Sequence, residues 1–192
     1  TGQGGETSTR IFGGQVIGQA LAAAYRTVED RLCHSLHAYF IRPGDPEVPV
    51  VYQVDRARDG GSFTTRRVVA IQPGRPLLNM SASFHVEEEG WAHQHPMPDV
   101  EGPDTLADRG TLRAAVVDRI PQQYHEEFLR PRPIDIREVA PRDFFTPPPE
   151  DDVSHLWFRM AAARGIAPSL QHCLLAYASD LNLLGTALRP HG

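Results

Sequence analysis

"FGGQVIGQALAAAYRTVEDRL", residues 12–32, combines a pair of glycines at its start with apolar residues at helical spacing. Because an α-helix repeats every 3.6 residues, those apolar positions share one face. We therefore predict a helix over residues 14–30 that turns this face to the core. The positions concerned are Val16, Ile17, Ala20, Leu21, Ala24 and Val28.

Four segments after this helix have the composition of β-strands. They span residues 34–43, 49–60, 63–72 and 75–87, and short connectors rich in glycine and proline separate them. Connections this short predict that consecutive strands are antiparallel neighbours. One helix against such a sheet predicts an α+β unit.

The chain changes character at "EEEGWAHQHPMPDVEGPD", residues 87–104, which is acidic and rich in proline. Such a composition is typical of a linker between domains. Residues 105–129 then have intermittent helical character. Two further strands, "IDIREVA" and "SHLWFRMA", and the helical run "HCLLAYASDLNLLGTAL" at 172–188 follow. We predict a first unit at 1–90, a linker at 91–132, and a second unit at 133–192 that is short of sheet.

The overall composition excludes several classes of function. The chain has 192 residues, of which 41% are apolar and 22% charged, so it belongs to the globular class. Its net charge of −5 argues against a nucleic-acid partner. All 19 basic residues are arginine, which excludes a Schiff-base or P-loop lysine. No apolar run approaches the roughly 18 residues of a membrane helix, so we expect a soluble protein without membrane insertion.

The cysteines and histidines do not form a pattern typical of a metal site. Cys33 and Cys173 are far apart and have apolar neighbours, which indicates reduced thiols and a reducing compartment. His34 and His37 differ by three positions and would point to opposite faces of a strand. Neither an HExxH motif nor paired cysteine spacing is present. We predict that the protein uses no metal and no cofactor.

Asp180 is a carboxylate in the middle of a helical stretch whose other residues are typical of a core-facing helix. At 100° per residue it falls at the edge of the apolar stripe, beside an apolar wall. A carboxylate there has hydrogen-bond partners or a raised pKa, and both outcomes are compatible with a general base. A solvated or structural carboxylate is the alternative from position alone. The stripe comprises Leu170, Leu174, Tyr177, Leu181, Leu184 and Leu188.

Several motifs in one order resemble the type II acyl-CoA thioesterases. They are "RIFGGQVIGQAL", "HSLHAYFIRPGDPEVPVVYQV", "RDGGSFTTRRVVAIQ", and "YASDLNLL" followed by "ALRPHG". The resemblance covers about residues 8–97 and 155–192. It implies a double hotdog fold, in which an antiparallel sheet wraps around a central helix and the unit occurs twice, the second one being incomplete in this sequence. It also implies hydrolysis of fatty acyl-CoA to free fatty acid and CoA.

The resemblance extends to the catalytic group. In this family a helix Asp acts with a Thr and a Gln on later strands to activate the attacking water, and Asp180 in "YASDLN" matches that Asp. The strands carrying the Thr and the Gln would lie beyond Gly192, and the family's first strand would precede Thr1. The sequence is therefore expected to be either part of a longer protein or a shortened homologue.

Five further residues are candidates for binding the substrate. The backbone N–H groups of Gly13 and Gly14 stand at a helix entrance, where the dipole favours negative charge, and they could stabilise an oxyanion. A tight turn into the helix is the alternative role for both. Gln15, His34 and Ser62 are candidate substrate-binding residues. The alternatives are a hydrogen-bonded strand histidine for His34 and a strand start for Ser62.

Three function classes compete at this stage. An acyl-CoA hydrolase leads, on the resemblance and the placement of Asp180. A hotdog hydratase would need a histidine near the helix, and His172 lies opposite the side of Asp180. A non-catalytic acyl-CoA-binding or assembly module is the third class. Unpaired sheet edges also predict self-association into a homo-oligomer. The family includes cytosolic and peroxisomal members, and we predict a cytoplasmic protein.

Overall fold

The computed structural model describes residues 10–131, 133–160 and 163–191. Two compact units make up the chain: residues up to Trp91 together with Gly165–Leu181, and Ala92–Arg164 together with residues from Asn182 onward. Short 3₁₀ turns occur at Pro103–Thr105, Val117–Arg119, Gln122–Tyr124 and Arg189–His191. In chain order the helices and strands are α1 (Gly13–Tyr25), β1 (Leu32–Phe40), β2 (Val51–Asp59), β3 (Phe63–Gln72), β4 (Arg75–His85), α2 (Arg109–Ala114), α3 (His125–Leu129), β5 (Asp135–Glu138), β6 (Leu156–Arg159), α4 (Pro168–Ser179) and α5 (Leu183–Leu188).

The first unit is an antiparallel four-stranded sheet with helix α1 on one face. This arrangement confirms the predicted α+β class, and β3 has the predicted bounds. The turn between β3 and β4 is tight because Gly74 adopts a φ of 72°, a conformation that glycine reaches without steric cost.

The predicted pairing of consecutive strands is wrong for β1 and β2. The sheet order is β1-β4-β3-β2, so these two strands form the opposite edges. The connector at residues 41–50 crosses from one edge to the other. It contains Pro43, Pro46 and Pro49, which have no N–H to donate to a sheet ladder and therefore favour an extended crossing over a hairpin.

The core lies between α1 and the inner face of the sheet. Helix α1 buries five of the six predicted apolar positions; the sixth, Val28, is partly buried and packs against the same cluster. Alternate residues of β3 and β4 meet them, as expected for strands with one face covered. Each fully buried aliphatic or aromatic side chain stabilises the fold by about 1.5–3 kcal/mol. The sheet side of this core is Val68, Ala70, Leu78, Met80, Ala82 and Phe84.

Helices α1 and α4 pack antiparallel at very short range. Gly14 lies against the backbone of Tyr177 near the end of α4, whereas Tyr25 at the end of α1 bonds to His172 near the start of α4. A Cβ atom on Gly14 would stand 2.2 Å from the Tyr177 carbonyl oxygen, and one on Gly18 would stand 3.0 Å from the Cys173 carbonyl oxygen. The glycines at positions 14 and 18 therefore allow the two backbones to approach.

The predicted single helix over residues 172–188 is wrong. Helix α4 ends at Ser179, and α5 begins at Leu183 after a turn that contains Asp180. The predicted leucine stripe is also not the buried face, since Leu170 is 48% and Leu184 is 74% exposed. Helix α4 instead buries Cys173, Ala176 and Ala178. Cys173 and Ala176 pack in the same core cluster as α1, and their side chains are small because the close approach of the two helices leaves no room for leucine.

The second unit has little regular structure. Strands β5 and β6 form a two-stranded antiparallel sheet. Short helices form within residues 105–129, which agrees with the intermittent helical character predicted there. The side chain of Asp108 caps α2 by accepting a hydrogen bond from the Thr111 N–H. Arg109 forms an ion pair with Glu138 of β5. Within the described residues, no helix is both long and apolar enough to cross a membrane.

Candidate active site

Asp180 stands directly after the last residue of α4 and is half-buried. Its Oδ2 atom accepts a hydrogen bond of 2.8 Å from the Gly14 N–H, so two residues that were predicted separately lie in direct contact. The helix entrance and the carboxylate belong to one site.

The start of α1 explains why the carboxylate is there. Phe12 occupies the N-cap position and has no side-chain acceptor, and the first turn contains no acidic residue. The first N–H groups of a helix have no acceptor within the helix, and the local dipole favours an anion. Asp180 therefore supplies, from 166 residues away, the cap that the local sequence lacks.

Both predicted glycines are enclosed by other groups. A Cβ atom on Gly13 would stand 2.7 Å from Asp180 Oδ2 and 2.7 Å from the Phe40 ring. A Cβ atom on Gly14 would collide with the Tyr177 backbone. Side chains at these positions would push the carboxylate and the ring away from the start of α1, so the geometry of the site depends on glycine.

An open pocket of about 410 Å³ lies beside this contact. Among the described residues that line it, Asp180 is the only carboxylate, and six of the eleven have apolar side chains, from the segment before α1, α1 itself, the end of β1, the loop that follows it and the start of β4. Arg10 and Arg42 also line it. The apolar lining is Ile11, Val16, Phe40, Ile41, Pro43 and Leu77.

Burial raises the pKa of Asp180 above the ordinary value for an aspartate. Desolvation by the surrounding wall is the larger cause, and the hydrogen bond from the Gly14 N–H opposes it by stabilising the ionised form. The carboxylate thus combines a desolvated position with a fixed hydrogen bond from the Gly14 N–H. This state is suited to accepting a proton, since a raised pKa makes an aspartate a stronger base.

The other predicted binding residues lie away from the pocket wall. Gln15 is half-buried in the first turn of α1, where its N–H bonds to the Phe12 carbonyl. His34 is exposed near the start of β1; its Nε2 atom is 2.9 Å from Ser83 Oγ. Ser62 accepts a backbone hydrogen bond from Val86. Residues 34 and 40 of β1 are about 20 Å apart along an extended strand, so His34 lies at the opposite end from the pocket.

His172 lies at the far end of the helix pair. Its Nδ1 atom is 2.9 Å from the Tyr25 hydroxyl, which also accepts a hydrogen bond from the Cys33 N–H at 2.8 Å. His172 and Asp180 are about 12 Å apart along α4 at ~1.5 Å per residue. The histidine is therefore not placed to act beside the carboxylate, as a hydratase would require.

Sequence reasoning missed the pocket walls. Phe40, Leu77 and Arg42 were not singled out, and no local motif marks them. The available signal was the period of two along β1, which places Phe40 on the same face as Leu36 and Ala38, toward the helix. Cys33 and Cys173 are free thiols, as predicted, and burial raises the pKa of Cys173 to about 11. Among the described residues, no cluster of three potential metal ligands occurs.

The chain is similar in sequence to proteins named as acyl-CoA thioesterases. Residues 4–85 match a family model described as the acyl-CoA thioesterase N-terminal domain. The chain is 37% identical over 183 residues to acyl-CoA thioesterase 2 of Haemophilus influenzae, covering 95% of this chain and 64% of the relative. It is 40% identical to acyl-coenzyme A thioesterase 8 of Homo sapiens, covering 95% of this chain and 60% of the relative.

Solved structures show the same likeness. An acyl-CoA thioesterase II from Mycobacterium marinum aligns with a TM-score of 0.71 at 42% identity, covering 94% of this chain and 63% of that one. A protein from Alicyclobacillus acidocaldarius described as having a hot dog fold aligns with a TM-score of 0.65 at 22% identity, covering 90% of this chain and 58% of that one. The hotdog fold predicted from the sequence is therefore confirmed. The chain spans less than two thirds of the length of these proteins, and its residues 4–85 belong to the acyl-CoA thioesterase N-terminal domain family.

Proposed function

We propose that this protein hydrolyses acyl-CoA thioesters to a free fatty acid and CoA. The observation that carries the proposal is the half-buried Asp180 carboxylate, which lines an apolar pocket at the start of α1. An acyl chain needs an apolar wall, and hydrolysis needs a base close to the carbonyl at the end of that chain. The pocket places apolar side chains and a carboxylate next to each other. Relatives of this chain are named as thioesterases.

Asp180 acts as the general base in this proposal. The Gly14 N–H fixes Oδ2, which leaves Oδ1 to accept a hydrogen bond from water. Water attacks the thioester carbonyl while Asp180 takes one of its protons. The tetrahedral intermediate then collapses, the C–S bond breaks, and the CoA sulfur leaves as the thiolate. That thiolate takes the proton that Asp180 accepted from water, which restores the carboxylate, so the products are the carboxylic acid and the CoA thiol.

The start of α1 stabilises the oxyanion in this proposal. The Gly14 N–H already donates to Asp180, so the donor that remains in the first turn is the Gly13 N–H. The dipole of a helix of 13 residues adds to it at the same end. One such donor in a desolvated site accounts for a rate factor of about 10²–10³.

Release of the CoA thiol tests the proposal directly. The intact protein is incubated with a series of saturated acyl-CoA thioesters, and free thiol is followed with a thiol-reactive chromophore. We expect catalytic release of one thiol per thioester consumed. Binding of acyl-CoA without thiol release would instead identify a non-catalytic binding module. Hydration of crotonyl-CoA without hydrolysis would identify a hydratase.

Self-association and a cytoplasmic location are part of the same proposal. The sheet of the first unit ends in the edge strands β1 and β2, and unpaired edges favour pairing with another chain. Two free thiols are typical of a reducing compartment. Sedimentation equilibrium measures the self-association, and a monomer at micromolar concentration would contradict it. Fractionation of cells that express the tagged protein measures the cellular location.

A further inference from the structure

A second pocket, of about 310 Å³, lies at the opposite end of α1 and is rich in arginine. The charged groups of its wall are four guanidinium groups and two carboxylates, which leaves a formal charge of +2 in a chain of net charge −5. Such a concentration of positive charge favours an anionic ligand. The groups concerned are Arg26, Arg31, Arg56, Arg66, Glu29 and Asp59.

One of these arginines is structural. Arg66 is 1% exposed, and its N–H groups donate hydrogen bonds to oxygen atoms of Thr27, Arg58, Thr65 and Asp59. The Asp59 carboxylate forms the ion pair with Arg66 and is therefore not available to neutralise another arginine. Arg66 fixes the floor of the pocket and leaves the remaining charge to its neighbours.

The remaining three arginines have no carboxylate partner within the described residues. Arg31 donates to the carbonyl oxygens of Glu29, Gly60 and Gly61, so its positive charge is held in place without being neutralised. Arg26 and Arg56 are both exposed, and neither takes part in an ion pair that the described residues form. Their guanidinium groups stand ready to bind an anion, and guanidinium binds phosphate in a bidentate manner.

We propose that this arginine pocket binds the phosphate groups of the CoA moiety of the substrate, an inference that rests on the hydrolase function proposed above. The two pockets are separated by the length of α1, about 20 Å between residues 13 and 26 at ~1.5 Å per residue. From the sulfur to the first phosphorus, the pantetheine arm has about 13 bonds and an extended length of roughly 16 Å. With the thioester at Asp180, the first phosphate lies about 4 Å short of residue 26, a gap that the second phosphate and the arginine side chains span.

Gln19 stands on the exposed side of α1, between the residues that line the two pockets. Gln19 and Arg26 are seven residues apart and therefore share this face. Gln19 is exposed, and its Oε1 atom accepts a 2.7 Å hydrogen bond from the Tyr52 hydroxyl, which orients the side-chain amide. An oriented amide at mid-helix can bond to the amides of the pantetheine arm on its way to the arginines.

Two thioesters that differ only in their phosphates test this inference. Acyl-CoA and the corresponding acyl-pantetheine are compared on the intact protein and on the double variant Arg26→Gln/Arg56→Gln. We expect the KM for acyl-CoA to rise by about tenfold in the variant, because charge-assisted contacts are lost. The kcat values and the KM for acyl-pantetheine should not change. Arg67→Gln, on the exposed outer face of β3, is the matched control.

Calorimetry separates failure of this inference from failure of the proposed function. Free CoA should bind the wild type with an affinity that falls with salt and falls about tenfold in the double variant. Inorganic pyrophosphate should compete with CoA, whereas pantetheine should not lose affinity in the variant. If neither thioester is hydrolysed, the proposed function is wrong, and the CoA affinities still decide the site. Equal CoA affinity, or an unchanged KM for acyl-CoA, in wild type and variant would overturn the arginine site.

Discussion

The two ends of helix α1 hold charged side chains that are satisfied to very different degrees. At the C-terminal end, Arg66 is almost fully buried and donates five hydrogen bonds, one of them within an ion pair to Asp59. At the N-terminal end, Asp180 is half-buried and, within the described part of the chain, accepts one hydrogen bond, from Gly14. The first charge is fully compensated by protein groups, and the second is not.

This difference separates a structural charge from a reactive one. A buried charge with all its hydrogen bonds made is fixed and has no capacity for another partner. A carboxylate with a raised pKa and an unused oxygen can bind water and exchange a proton. Both residues anchor an end of α1, and only Asp180 adjoins an apolar pocket.

The largest effect on stability is expected from Arg66→Met. The change removes five donors from a fully buried position and breaks the hydrogen bonds to Thr27, Arg58 and Thr65 and the ion pair with Asp59, so the free energy of unfolding should fall by about 3–5 kcal/mol. Urea unfolding followed by circular dichroism measures it. The control is Arg67→Met on the exposed face of β3, for which we expect a change below about 0.5 kcal/mol. Equal losses in both variants would contradict the structural role of Arg66.

A smaller loss is expected when the contact between α1 and α4 is overpacked. Gly14→Ala places a methyl group 2.2 Å from the Tyr177 carbonyl oxygen, and because that atom is backbone, the helices must separate. We expect the free energy of unfolding to fall by about 1–3 kcal/mol despite the higher helix propensity of alanine. Gly18→Ala is the graded control: its methyl group would stand 3.0 Å from the Cys173 carbonyl oxygen, so the free energy of unfolding should fall by less than in Gly14→Ala. A Gly14→Ala variant as stable as the wild type would show that the helices are not in contact there.

The smallest effect concerns the dependence of stability on pH. Because burial raises the pKa of Asp180, the native state binds more protons than the unfolded state between the ordinary aspartate pKa, near 3.9, and the raised value. The contribution of this group to stability therefore decreases as pH rises through that interval. Asp180→Asn should remove the decrease, which paired urea titrations of both proteins at several pH values would detect. The same slope in both proteins would mean that other groups cause it.

Local patterns were sufficient to predict the elements of the first unit. The apolar spacing from Val16 to Ala24 located α1, and turn residues around Gly74 located β3 and β4. The exchange of sheet neighbours was missed because the length of the connector at 41–50 allows a hairpin. Its three prolines, which favour a crossing, were the local signal, and the packing of the whole sheet places β1 beside β4.

The contact between α1 and α4 limited the prediction of the site. Asp180, Gly13 and Gly14 were selected for separate reasons, and the structure brings them together. Their direct contact could not be predicted, since it depends on the approach of two helices that are far apart in sequence. The same approach reversed the expected burial of the last helix, because glycines on α1 select alanine and cysteine, rather than leucine, on the facing side of α4.

Turnover by Asp180→Asn tests the central claim most directly. Asparagine has the same shape and can still accept the Gly14 hydrogen bond, so the fold is retained while the base is lost. With the exposed Asp152→Asn as the control, we predict that kcat for acyl-CoA falls by about 10²–10⁴ in Asp180→Asn and is unchanged in the control. A kcat for Asp180→Asn within about threefold of the wild type would contradict the assignment of Asp180 as the base.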